Sequence, residues 1–332
     1  MRPVYKTDLP GYQETYSGTV FFPQWDAGYL CISGQDRVDF IQRQSTNDVH
    51  ALSPGGSILT VLTSSTARIL DVLRLVSEDE AIAAITLPGY AEKTARYLKS
   101  RIFFMDKVKV EDASSSIIQL DLEGAQAPQF LQEAGIPQPQ RPDEVVAGEI
   151  EDIPVRIINQ KGLTGTGFRL LGDQESGAEL FAALLRREAV QLTPESYNVL
   201  RVEAGLPAAG QELTTDYTPL ETNLRDAISN NKGCYTGQEI IARQITFDKV
   251  TQQLVGLHLD APVYPGARIL AEGKPCGTIT SAVQSPRFGL IALAVIKRPY
   301  HLPATHVSVA SNDDNGNAIP ARVTGLPFQS SS

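Results

Sequence analysis

The chain has 332 residues, of which 42% are hydrophobic and 20% charged, and its formal net charge is −9. That length supports two or three domains with cores of their own, and that balance belongs to globular rather than disordered chains. The acidic charge opposes attraction to a phosphate backbone or an anionic membrane, so neither nucleic acid nor a membrane is expected as a direct partner.

Gly28 to Ser33 reads as a strand and Asp36 to Gln44 as an amphipathic helix, which the polar Ser45-Thr46-Asn47-Asp48 ends in a loop. Ile58 to Leu62 and Ile69 to Val76 form a pair of strands. Ala81 to Leu87 follows as strand and Tyr90 to Arg101 as helix, then strands around Lys107 to Glu111 and at Ile117 to Leu122, and a helix over Ala125 to Ala134. Pro137, Pro139 and Pro142 interrupt the pattern and place a passage between subdomains near 137–145. Gly162, Gly165 and Gly167 resemble a glycine-rich phosphate loop, but Gly167-Phe168-Arg169-Leu170 continues as strand, which argues against nucleotide binding.

Thr193 as cap, Pro194 at the first helical position and Gly205 with Pro207 as the stop predict a helix between them. The mixed pattern makes residues 1–245 an α+β region. From Thr251 the chain changes to short β runs at Leu254 to Leu259, Ala267 to Leu270, Gly277 to Val283, Leu290 to Val295, His306 to Val309 and Ala321 to Thr324. This spacing predicts a small barrel or sandwich over 246–328, with a frayed tail at 329–332. No internal repeat is visible.

Cys31, Cys234 and Cys276 lie far apart, and His50, His258, His301 and His306 lack the paired spacing of metal ligands. No disulfide framework and no metal site are expected. The N-terminus lacks a signal-like apolar core and no apolar run approaches the roughly 18 residues of a membrane span, so the expected setting is the cytoplasm.

Chemistry concentrates in three places. In Lys232-Gly233-Cys234-Tyr235-Thr236-Gly237-Gln238-Glu239, the spacing of Thr236 and Glu239 is that of a capping box, so a helix should start there and run through Ile240 and Ile241. Cys234 would then precede a helix N-terminus with Lys232 nearby, a setting that favours thiolate. The plainer reading makes Cys234 a small buried apolar residue beside a helix cap. Glu203 falls on an apolar arc in the last turn of its helix, where the helix dipole disfavours it. A salt bridge to Arg201, Arg225 or Arg243 would explain it; so would recognition of the paired N–H donors of a pterin-like heterocycle. Asp71, inside Ile69-Leu70-Asp71-Val72-Leu73, is on pattern alone more simply a solvent-facing strand residue than a proton-transfer group in a cleft.

The run Lys232 to Glu239 resembles the K-G-C-Y-x-G-Q-E signature of the YgfZ family. Arg201-Val202-Glu203-Ala204-Gly205, with Gly210, Glu212, Pro219, Glu221 and Leu224, resembles the frame that this family shares with the glycine-cleavage T-protein, as does Thr46-Asn47-Asp48-Val49. Leu254-Val255-Gly256-Leu257, Gly277-Thr278-Ile279-Thr280-Ser281 and Pro320-Ala321-Arg322-Val323 are similar to the T-protein's terminal barrel. The resemblance covers nearly the whole chain. It implies a folate-binding region of ferredoxin-like subdomains around a central cavity, followed by a β-barrel. It further implies tetrahydrofolate binding and support of iron–sulfur cluster assembly or repair and of iron–sulfur enzymes, including tRNA-modifying ones, with iron–sulfur proteins or assembly factors as partners. Glu203 would hold the pterin edge, with Lys232, Tyr235 and Arg243 as further folate-site candidates, and Cys234 would carry the family-specific function. The aminomethyl-transferring relatives have two consecutive aspartates in the folate-facing strand, where this chain has Asp71 followed by Val72. A folate-dependent aminomethyltransferase or demethylase using Asp71 is therefore the second expectation, and a non-catalytic scaffold the third.

Overall fold

The computed structural model describes residues 8–310 and 318–329; the last three residues of the expected tail lie outside the described residues. The chain forms two compact units, one of residues 13–192 and 225–242, the other of the described parts of 1–12, 193–224 and 243–332.

The larger unit opens with the single-turn helix α1 (Glu14–Ser17) and strand β1 (Val20–Pro23). Strand β2 (Tyr29–Ser33), helix α2 (Arg37–Gln44), strands β3 (Ser57–Thr63), β4 (Ile69–Ser77) and β5 (Ala81–Ile85), helix α3 (Ala91–Lys99) and strand β6 (Lys109–Asp112) come next. They form a five-stranded sheet of order β3-β4-β5-β2-β6 in which every neighbouring pair is antiparallel. Strand β7 (Ile117–Glu123), helix α4 (Ala127–Glu133), strands β8 (Val145–Ile150), β9 (Ile153–Gly162) and β10 (Gly165–Asp173), helix α5 (Gly177–Arg186) and strand β11 (Val190–Gln191) follow. Their sheet has the order β11-β1-β7-β10-β9-β8.

The two sheets share one plan. Each runs strand, helix, three meandering strands, helix, strand, and each places its last strand on the far side of its first. This is the ferredoxin-like order with an added edge strand, varied in the second sheet by β1 between β7 and β11. The repeat is one of topology, which explains why none is visible in the sequence. Residues 137–144 join α4 to β8, a strand of the same sheet as β7. Tyr29, Val76, Ala83, Ile85, Ile158 and Leu171 join the two sheets in one apolar cluster. Leu30, Ile32, Leu73, Leu75 and Ile82 pack on the other side of the first sheet with Phe40 and Leu98 from α2 and α3. Strand β4 is therefore covered on both faces.

In the smaller unit, helix α6 (Pro194–Glu203) has the cap read from the sequence: the Thr193 hydroxyl accepts the Ser196 amide at 3.1 Å, Pro194 follows, and Gly205 takes φ +68°. Helix α7 (Gln238–Thr246) spans the boundary between the units. Strands β12 (Gln252–Leu259), β13 (Arg268–Ala271), β14 (Lys274–Ser285), β15 (Gly289–Lys297), β16 (His306–Val309) and β17 (Ile319–Thr324) close into a barrel, β12-β15-β14-β13-β16-β17. Closure leaves no unpaired edge and decides between barrel and sandwich. Leu257, Ile269, Ile279, Ile296, Val309 and Val323 fill the interior. Among the described residues no helix is long and apolar enough to cross a membrane.

Candidate functional site

Asp71 is buried, against the expectation of a solvent-facing residue. The alternation argument fails because β4 has cover on both faces. One carboxylate oxygen accepts the amides of Val72 at 2.8 Å and Leu87 at 3.1 Å, and the other accepts the Thr94 hydroxyl of α3 at 2.5 Å. Burial pushes its pKa up to about 7, against the pull of these donors and of Lys93. Near neutral pH such a group is held partly protonated.

The cysteine loop is fixed to the same hairpin. Asp71 pairs with Leu62 across β3 and β4, and the adjacent Thr63 donates its hydroxyl to the Thr236 carbonyl at 2.5 Å. Helix α7 opens at Gln238, so Gly237 rather than Thr236 stands just ahead of it. Gly237 has φ +84°, and a Cβ there would collide with the Ser64 carbonyl and the Thr63 hydroxyl. Cys234 lies in irregular backbone before that turn and is exposed, which overturns the buried reading of this residue.

Lys232 is a brace. Its ammonium donates to the carbonyls of Gln42 at 2.8 Å, Ser45 at 2.7 Å and Asn47 at 2.5 Å, which matches its three donors. Burial draws its pKa down to about 8, although Asp48 opposes this. The Lys232 nitrogen also lies 5.2 Å from the Tyr235 ring centroid. Tyr235 is buried, which pushes its phenol up to about 12 against the opposing charge of Arg225. The Thr46-Asn47-Asp48 run thus acquires a physical role as the socket of Lys232. Its own ties reinforce that socket: the Thr46 hydroxyl donates to the Ala227 carbonyl at 2.6 Å, and the Asn47 side-chain Nδ2 donates to the Leu59 carbonyl at 2.8 Å.

Glu203 belongs to the smaller unit, where it is buried at the end of α6. One carboxylate oxygen accepts the hydroxyls of Tyr12 at 2.7 Å and of Ser285 on β14 at 2.5 Å. Arg201 turns instead to Glu212 at 3.3 Å and to Ser281 of β14 at 2.8 Å. A bulge in β14 between Ile279 and Ser281 shifts the register just ahead of Ser281. Arg243 is exposed on α7.

Sequence reasoning missed the three-carbonyl socket, because its members come from α2 and the loop after it. It also missed the capping box at Thr218 and Glu221, although the spacing Thr218-Pro219-Leu220-Glu221 carries that signal. The glycine-rich segment has an internal explanation. A Cβ at Gly162 or Gly167 would collide with the buried Glu123 carboxylate, which accepts the Leu163 amide at 3.0 Å. These glycines admit a carboxylate of the protein itself, and burial with Asp121 nearby raises its pKa to about 8.

Residues 19–232 match the family model described as the GCVT N-terminal domain, and residues 252–329 match the glycine cleavage T-protein C-terminal barrel domain. The chain belongs to the glycine-cleavage T-protein family. It is 31% identical over 258 residues to a chloroplastic putative transferase of Arabidopsis thaliana, covering 76% of this chain and 59% of that protein. It is 29% identical over 318 residues to an aminomethyltransferase of Oceanobacillus iheyensis, covering 91% of this chain and 84% of the relative. An aminomethyltransferase of Thermus thermophilus is likewise 29% identical, over 309 residues, with the same coverage. The crystal structure of the glycine cleavage system aminomethyltransferase T from Bartonella henselae superposes with a TM-score of 0.84 at 23% identity, covering 96% of this chain and 88% of that one, which establishes the T-protein fold.

Proposed function

We propose that this T-protein family member is a tetrahydrofolate-binding accessory protein of the YgfZ type, acting in the cytoplasm in support of iron–sulfur proteins. The observation that carries this reading is the exposed Cys234 on a loop held by Lys232 and by the Thr63–Thr236 hydrogen bond. A thiol used only for packing has no need of exposure, whereas one that meets a partner does. Glu203 fits the folate: Tyr12 and Ser285 orient a buried carboxylate whose acceptor chemistry suits the paired N–H donors of a pterin.

Cys31 is half-buried and Cys276 is buried in the barrel, so Cys234 is the exposed cysteine of the three. One thiolate cannot supply the ligands of a four-cysteine cluster. Any cluster at Cys234 is therefore shared with a partner protein and transient. The test is complementation of a strain lacking this gene. Cys234→Ser should fail to restore iron–sulfur enzyme activity while binding tetrahydrofolate as the wild type does. Full restoration by Cys234→Ser would overturn the role of the thiol.

Asp71 favours a second reading, folate-dependent one-carbon transfer. Bound tetrahydrofolate would supply N5 as acceptor of the carbon unit. Asp71, with its pKa raised to about 7, is suited to take and return a proton near neutral pH. Turnover of a methylated or aminomethylated amine, abolished in Asp71→Asn, would establish that reading; no turnover with such amines would remove it.

A further inference from the structure

The turn between α3 and β6 exposes three consecutive large apolar side chains: Phe103 at 65%, Phe104 at 97% and Met105 at 72%. Soluble surfaces seldom gather such groups without a use for them. The exposure is built in. The Asp106 amide donates to the Phe103 carbonyl at 2.9 Å, and the Phe103 amide donates to the Asp106 carboxylate at 3.0 Å. Arg43, in the last turn of α2, holds the other Asp106 oxygen at 2.9 Å, and the next amide, of Lys107, donates to Asp36 at 2.8 Å. Both acids beside the turn are thus engaged in holding it.

The surroundings are basic. Residues 92–111 contain Lys93, Arg96, Lys99, Arg101, Lys107 and Lys109 against Glu92, Asp106 and Glu111, a net +3 in a chain whose net charge is −9. All six cations are exposed. Arg96 pairs with Glu92 and Lys109 with Glu111, whereas Arg101 lies over the Tyr97 ring and Lys107 bonds the Gln35 amide oxygen at 3.2 Å. Screening confines electrostatics to about 8–10 Å at physiological salt, so an approaching surface meets this local charge rather than the chain's net charge.

We propose that the Phe103–Met105 turn is an insertion element for an anionic lipid bilayer, with Lys99, Arg101 and Lys107 meeting the headgroups. This revises the expectation drawn from net charge, which averages over a segregated patch. Three successive side chains on a tight turn diverge, and a fluid interface accommodates that shape where a flat protein surface does not. The arrangement of an apolar tip within a cationic collar matches the two contributions that hold peripheral proteins on anionic membranes, apolar burial and attraction to acidic lipids.

The test is flotation of the full chain with vesicles of equimolar phosphatidylglycerol and phosphatidylcholine, against vesicles of phosphatidylcholine alone. The wild type should float with the first and not the second, and binding should fall steeply with added salt. Phe103→Ser/Phe104→Ser/Met105→Ser should weaken partitioning by about tenfold or more. Arg101→Gln/Lys107→Gln should weaken it by about fivefold per charge. All these positions are exposed, and unchanged melting would show that the variants fold. Absence of wild-type flotation with the anionic vesicles overturns the proposal and leaves an acidic protein with an apolar pocket as the occupant. Equal binding by the triple serine variant also overturns it.

Discussion

Replacing Asp71 by Asn tests the cost of holding that carboxylate where it is. The three donors around it survive the change: the amides of Val72 and Leu87 keep an oxygen acceptor, and the Thr94 hydroxyl can rotate to accept from the new amide. What disappears is the charge. A pKa moved from 3.8 to about 7 is about three units, or about 4 kcal/mol against the ionised form at 1.36 kcal/mol per unit. The folded value lies above the unfolded one, so folded Asp71 retains its proton over a range where the unfolded chain has lost it. Its contribution is thus most favourable below pH 4 and is lost progressively as pH rises to about 7. In urea titrations across pH, Asp71→Asn should be more stable than wild type at pH 8, and the difference should grow by about 2–3 kcal/mol between pH 5 and pH 8. Comparing the two proteins at each pH cancels other titrating groups, including Glu123. A difference that does not change with pH, or a variant less stable than wild type at pH 8, would refute the account of Asp71 as a desolvated carboxylate.

Lys232→Met should cost about 2–4 kcal/mol in the same titrations, because the carbonyls of Gln42, Ser45 and Asn47 lose their shared donor. Lys232→Arg should not rescue it, since a planar fork does not fit three carbonyls that converge on one nitrogen; full rescue would contradict the brace. Gly237→Ala should destabilise by about 2–4 kcal/mol through its left-handed backbone and its collision with Ser64 and Thr63. An unchanged urea midpoint would show that the turn relaxes freely.

The Thr193 cap and the strands of the terminal barrel were legible because each has a local signal, in Thr193-Pro194 and in the alternating runs from Leu254 onward, whereas the cap read at Thr236 was misplaced, since α7 opens at Gln238. The β8–β9 hairpin was not legible. It turns through Glu151 and Asp152, both at positive φ, without the Asn or Gly that advertises such a turn. Helix α5 was also silent at its start, since it opens at Gly177 after Ser176, which makes no side-chain cap hydrogen bond. At the candidate site, motif spacing picked out Cys234, Glu203 and Asp71, but their settings depend on partners distant in sequence. Asp71 lies on the face of β4 that carries Leu73 and Leu75 under α3, whose Thr94 bonds it, and Lys232 is held by carbonyls 185 to 190 residues away. Periodicity reports a face of a strand; it does not report how many faces are covered.

In the proposed function the chain binds tetrahydrofolate through Glu203 and keeps Cys234 for a separate role. Calorimetric titration of the full chain with tetrahydrofolate tests it most directly, with Glu203→Gln and Cys234→Ala alongside and melting curves to confirm that both variants fold. The wild type and Cys234→Ala should bind in the micromolar range, and Glu203→Gln should lose about tenfold or more, consistent with one charge-assisted hydrogen-bonding partner removed. No binding by the wild type would contradict the folate assignment, and undiminished binding by Glu203→Gln would contradict the role given to that carboxylate.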